Sequence, residues 1–149
     1  MMRRSSRLSR TGIQLWSSSE ILVRADIYIQ SRVNAFEHEM ARAFATADLV
    51  IARAGASTCF ELAAVGKPAL LIPLPSALRN HQHFNAEAFV AAGAADEGKQ
   101  DEITPRAIAN YILNRASHPH ILMRMAERMK SLATPDAAQR VADLVERTI

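Results

Sequence analysis

A chain of 149 residues, 49% apolar and 22% charged, has room for one domain with a core and not for two domains that close on a substrate. No apolar run nears the ~20 residues that cross a bilayer, and a single cysteine, Cys59, excludes an internal disulfide and fits a reducing compartment. The formal net charge of +3 resides in residues 1–20, where Arg3, Arg4, Arg7 and Arg10 face only Glu20; residues 21–149 are balanced and hold no basic excess for a phosphate backbone, which excludes nucleic acid as a partner.

The opening segment, residues 1–20, is rich in Arg and Ser and poor in acids, and it lacks the apolar stretch of a secretory signal. A disordered basic leader is expected, the same composition serving a transit peptide or a basic arm. DIYIQSRV, residues 26–33, reads as a strand. Residues 34–48 read as a helix with Phe36, Met40, Ala43, Phe44 and Ala47 on one face. LVIA at 49–52 is a short continuous apolar run, followed by Gly55, a helix over about residues 59–65, Gly66, Pro68 and a second apolar run, ALLIP, at 69–73. Continuous apolar strands separated by helices indicate a parallel sheet covered on both faces. Residues 81–93 suggest a helix stopped by Gly93, and the Thr-Pro pairs at 104–105 and 134–135 each place a threonine N-cap before a proline. A last helix over 135–149 carries Ala138, Val141, Ala142, Val145 and Ile149 on one stripe, expected to pack on the domain. The fold class is α/β, a Rossmann-like parallel sheet flanked by helices within residues 21–149.

Two clusters can carry chemistry. In the first, RAGASTCFEL at 53–62, Thr58 and Glu61 match a capping box, in which each side chain satisfies a backbone N–H of the other residue. The same segment follows an apolar strand, where open α/β sheets bind ligands. Gly55 and Ala56 leave room for close approach to their amides, a helix start favours phosphate, and the Glu61 carboxylate could accept two hydrogen bonds from a ribose diol. Both readings of Glu61 stand on the sequence. Cys59, near a helix start, is either an activated thiol or a small core residue. In the second cluster, NHQHFNAE at 80–87, Gln82 and Asn85 stand three apart and face one way on a helix, with amides suited to sugar hydroxyls. His81 and His83 have no nearby third ligand, and the residues present require no metal or other cofactor.

Taken in order, ADLVIARAGASTCFELAAVGKPALLIPLP, HQHFNA, AGAA and TPDAAQRVADLV resemble the C-terminal half of the MurG family. These are inverting peptidoglycan N-acetylglucosaminyltransferases of the two-domain GT-B architecture. The resemblance implies an incomplete C-terminal half of such an enzyme, binding UDP-N-acetylglucosamine and passing its sugar to lipid I, forming lipid II on the cytoplasmic face of the inner membrane. It implies that Gly55, Ala56, Ser57 and Thr58 cradle the donor sugar and diphosphate, that Glu61 holds the ribose, and that Gln82 and Asn85 bind the sugar hydroxyls. Glu37 stands where the family carries an apolar residue whose backbone meets the uracil. The family's acceptor domain, general base and glycine-rich phosphate loop have no counterpart in this sequence, so no catalytic residue is expected in this chain. Rival readings are another UDP-sugar lipid glycosyltransferase and a non-catalytic module that binds a nucleotide sugar or a protein.

Overall fold

A computed structural model of the chain describes residues 35–77 and 80–148. The leader over 1–20 and the strand expected over 26–33 lie outside these residues. Among the described residues, helices and strands first alternate as α1 (Met40–Thr46), β1 (Val50–Ala52), α2 (Ala56–Val65), β2 (Ala69–Leu71), α3 (His81–Ala91) and β3 (Ala95–Glu97). Three helices follow: α4 (Pro105–Ser117), α5 (Pro119–Ser131) and α6 (Ala137–Glu146). The strands run parallel in the order β1-β2-β3, with Ile51 opposite Leu70 and Leu70 opposite Asp96. The expected α/β class and parallel sheet are those observed.

The central strand β2 is buried along its whole length, which is why its sequence shows no polar alternation. Leu71 packs with Cys59, Leu62 and Ala63 of α2, Ala86 and Phe89 of α3, and Met129 of α5. Burying a leucine or methionine side chain here contributes roughly 1.5–3 kcal/mol. Alanines at 54, 63, 69, 86, 94 and 95 line the same core, and their small side chains bring helix backbones close to the sheet.

Helix ends are fixed by glycine and by cations. Gly66 and Gly93 take positive φ of 68° and 67° after α2 and α3, a conformation that costs glycine nothing. The last carbonyls of these helices accept from α5: Lys130 Nζ donates to Ala64 O, and Arg128 Nη1 to Ala92 O at 3.5 Å. Lys67 Nζ does the same for α1 through Ala45 O at 2.9 Å. Each cation sits at the negative end of a helix dipole. At Gly93 the fit is tight enough that a Cβ would lie 2.2 Å from the Arg128 guanidinium.

Three expectations need correction, and one strand was not foreseen. The helix placed over 34–48 begins only at Met40, because the Glu37 carboxylate accepts from Glu39 N at 2.9 Å and offers the backbone a local alternative to the helix. Phe36, 71% exposed, therefore lies off the apolar face, whereas Ala43, Phe44 and Ala47 are buried as expected. The strand β3 has no sequence signature, since Ala95, Asp96 and Glu97 are poor strand formers that pair because β2 offers an edge. Thr104 caps α4, its hydroxyl accepting from Ala107 N at 3.1 Å, but Thr134 does not cap α6, which starts after Asp136. Finally, α6 buries none of its residues: Val141, Leu144 and Val145 are 62%, 66% and 52% exposed, so its apolar stripe is left largely uncovered by the described residues.

One polar cluster fixes α4 to the sheet. Asp96 Oδ2 accepts from Tyr111 Oη and from Arg115 Nη2, both at 2.6 Å, and the guanidinium carbon lies 5.1 Å from the Tyr111 ring centroid. Burial, then the bond to Asp96, pushes the Tyr111 hydroxyl well above the usual tyrosine value of about 10. Folding thus favours the neutral phenol. That stabilisation is complete below pH ~10 and is lost as the pH rises above it, because the unfolded chain ionises there and the folded chain resists. Tyr111→Phe is expected to cost about 1 kcal/mol at pH 7. Above pH ~10, the melting temperature of the wild type should fall faster than that of the variant; parallel curves would show that Tyr111 is not held neutral by the fold.

Candidate functional site

The carboxyl ends of β1, β2 and β3 open on one edge of the sheet, where α2 and α3 begin. The chain leaves β1 through Arg53 and Ala54 and enters α2 with Gly55 as N-cap, in extended conformation (φ −66°, ψ 145°). This moves the helix start three residues ahead of the expected one. Thr58 is the third residue of α2 rather than its cap, and no side chain caps the helix. The capping box of Thr58 and Glu61 is therefore not formed. The first-turn amides of Ala56, Ser57 and Thr58 precede any intrahelical acceptor, and they sit where an anion gains from the helix dipole.

Glu61 falls in the second turn of α2. It is exposed and has no hydrogen-bond or ion-pair partner among the described residues. The sequence left two uses for this carboxylate, and the geometry removes the structural one. Ser57 is exposed and Thr58 half-buried, with Gly55 and Ala56 ahead of them at the mouth of the sheet.

α3 starts from Asn80, held at φ 54°, and likewise has no side-chain cap. Asparagine tolerates this left-handed backbone better than most residues. The first two turns of α3 then reach all three strand ends. Asn85 Nδ2 donates to Ala54 O beyond β1 at 3.0 Å, and Gln82 Oε1 accepts from Leu74 N beyond β2 at 2.9 Å. His83 Nδ1 lies 3.0 Å from Glu97 Oε1 at the end of β3. A carboxylate only accepts, so Nδ1 carries the proton. His83 thus links α3 to β3. Among the described residues no cluster of three or more metal-binding side chains occurs.

Arg53 completes the frame: its Nη1 donates to Ile72 O at 3.2 Å and to Pro73 O at 3.4 Å, binding the loop after β2 to the loop after β1. Neither Arg53 nor the His83 and Glu97 pair stood out in the sequence, because their partners lie 19 and 14 residues away with no periodic signal. The structure brings Gly55, Ala56, Ser57, Thr58, Glu61, Gln82 and Asn85 to the starts of two neighbouring helices. Glu37, which precedes α1, uses its carboxylate on Glu39 N.

Cys59 faces the core and not the site. It is buried, packed in the cluster of Leu62 and Leu71, and burial pushes its thiol up from the ordinary value. A helix start lowers a thiol pKa only where the thiolate stays solvated, so the activated reading fails on burial.

A sequence profile for the glycosyltransferase family 28 C-terminal domain matches residues 8–141. The chain belongs to that family. Among curated members, it is 48% identical over 118 residues to the UDP-N-acetylglucosamine--N-acetylmuramyl-(pentapeptide) pyrophosphoryl-undecaprenol N-acetylglucosamine transferase of Sorangium cellulosum, covering 78% of this chain and 29% of that protein. The protein of the same name from Trichormus variabilis is 42% identical over 114 residues, covering 76% of this chain and 32% of that one. The crystal structure of Acinetobacter baumannii MurG superposes with a TM-score of 0.74 at 35% identity, over 83% of this chain and 35% of that one. A kitacinnamycin glycosyltransferase, at 18% identity and a TM-score of 0.62, shares the fold. The family 28 domain described here spans about a third of the length of the curated relatives it matches.

The placement of Cys59 in the family 28 core has a direct readout. Alkylation by iodoacetamide at pH 8 should proceed on the native chain at least ~100-fold more slowly than in denaturant, since the thiol must first be exposed by unfolding. Native labelling at the unfolded rate would place Cys59 on the surface.

Proposed function

We propose that this chain is the donor-binding part of an N-acetylglucosaminyltransferase that moves the sugar of UDP-N-acetylglucosamine to lipid I, forming lipid II in peptidoglycan synthesis. The observation that carries this reading is the state of Glu61: a carboxylate left without a structural task, one turn beyond uncapped amides at the carboxyl end of a parallel sheet. The names of the family relatives and their 42–48% identity supply the nucleotide sugar that this arrangement suits. In the proposal, the amides of Gly55, Ala56, Ser57 and Thr58 receive the diphosphate and the proximal sugar oxygens. Glu61 accepts from both ribose hydroxyls, Gln82 and Asn85 meet the hexose, and the backbone at Glu37 meets the base.

Inverting transfer also needs a base to take the acceptor proton while its oxygen attacks the anomeric carbon. In the proposal that base comes from outside this domain, and orientation of the two substrates by a second domain can supply ~7–11 kcal/mol of a barrier. The proposal therefore assigns this domain donor binding and stabilisation of the departing UDP, and assigns acceptor and base to the region of the relatives that this sequence does not match. No described helix is long and apolar enough to cross a membrane. In the proposal, work on a lipid-linked acceptor puts the complete enzyme peripherally on the cytoplasmic face of the inner membrane.

Saturation-transfer NMR with UDP, UDP-glucose and UDP-N-acetylglucosamine tests the donor reading. Glu61→Gln should weaken all three ligands by about tenfold or more, the loss of charge-assisted hydrogen bonds to the ribose. It should leave the melting temperature unchanged, because Glu61 caps nothing. Unaltered binding would remove Glu61 from the site, and a clear loss of stability would restore its capping role.

A further inference from the structure

We infer that Phe60 is a specificity-determining residue of the donor site, its ring a platform for the C–H face of the hexose. This inference rests on the donor-site reading above and adds an aromatic surface to its polar groups. Phe60 is the one large apolar side chain of α2 left exposed, at 61%, while Cys59, Leu62 and Ala63 of the same helix are buried. A lone exposed phenylalanine is ordinary on a protein surface. This one is held in place, and it stands next to Glu61.

Its support comes from α3. The Phe60 ring centroid lies 6.5 Å from that of Phe89 at an interplanar angle of 76°, an edge-to-face pair that orients both rings. Phe89 is only 7% exposed and forms the fixed floor, so Phe60 lies on the flank of α2 that meets α3. Asn85 stands one turn ahead of Phe89 on the same side of α3, and it reaches Ala54 O at the entrance to α2. Long side chains on a helix lean toward its N-terminus and cover the preceding turn. For Phe60 that is the first turn of α2, the one whose amides are uncapped. An aromatic face carries partial negative charge and attracts C–H groups, which carry partial positive charge. A pyranose with equatorial hydroxyls offers C–H groups on its faces and hydroxyls at its rim. With the diphosphate on the α2 amides, the hexose joined to it lies beside the ring. The platform therefore favours a pyranose, gives nothing to the nucleotide alone, and is indifferent to the N-acetyl group because it meets ring carbons.

Titrations of the full chain with UDP, UDP-glucose and UDP-N-acetylglucosamine, followed by NMR, separate the ring from mere bulk. Phe60→Leu keeps apolar volume and removes the ring: both UDP-sugars should bind about three- to tenfold more weakly, with UDP unchanged. Phe60→Tyr keeps the ring and should keep all three affinities. Both variants should melt within about 4 °C of wild type, since the side chain is mostly exposed. In the wild type with UDP-N-acetylglucosamine, nuclear Overhauser contacts should join aromatic protons to hexose ring protons, and Phe60→Leu should lose them. Unchanged sugar-to-UDP affinity ratios in Phe60→Leu, a loss shared equally by UDP, or absence of the aromatic–hexose contacts in bound wild type would overturn the platform alone. Failure of UDP and both UDP-sugars to bind the wild-type chain would overturn the donor-site reading and the platform with it.

Discussion

Three side chains from the first two turns of α3 hold the carboxyl ends of three parallel strands. Asn85 reaches the end of β1, Gln82 the loop after β2, and His83 the last residue of β3. The strands are only three residues long, so their own ladders fix the exits weakly, and loops after such strands would be free to splay. The α3 contacts and the Arg53 bridge set those exits at fixed separations. A binding site at the end of a parallel sheet is made of such exits, and its ligand meets groups already in place instead of ordering them at a cost in entropy.

The same economy governs the helix starts. Gly55 and Asn80 begin α2 and α3 without a side-chain cap, although capping by Ser, Thr, Asp or Asn commonly contributes about 1 kcal/mol. Thr58 and Glu61 had the sequence of a capping box, and the start of α2 three residues earlier withholds them from it. The amides stay open and the carboxylate stays unengaged, which is the arrangement a diphosphate joined to a ribose can use. Stability forgone at these starts is recovered on the far side of the domain. There Lys67, Arg128 and Lys130 close the C-terminal ends of α1, α3 and α2.

The parts of this fold that were legible in the sequence are those where local chemistry and tertiary context agree. The apolar runs at 49–52 and 69–73, Gly93 as a helix stop and the Thr104-Pro105 start all report their own conformation. What stayed hidden depends on partners distant in the sequence. β3 exists because β2 exposes an edge to it. α1 begins late because Glu37 caps the backbone two residues on. The stripe on α6 was visible, but periodicity states that a face is apolar and not which surface covers it. At the site, Gly55, Glu61, Gln82 and Asn85 were legible as polar or small residues at two helix starts, and the fold sets those starts beside the strand ends. Arg53 and the tie between His83 and Glu97 were not, since nothing local distinguishes a bridging charge from a solvated one.

The central claim, that the first turns of α3 hold the strand exits in place, is tested most directly by hydrogen–deuterium exchange on the chain with Gln82, His83 and Asn85 all replaced by leucine. Amides at 53–56, at Ile72 and Leu74, and at 97–98 should exchange markedly faster than in wild type, while those inside α4 and α5 keep their protection. Unchanged exchange at the three exits in a folded variant would contradict the claim and assign their order to the sheet alone.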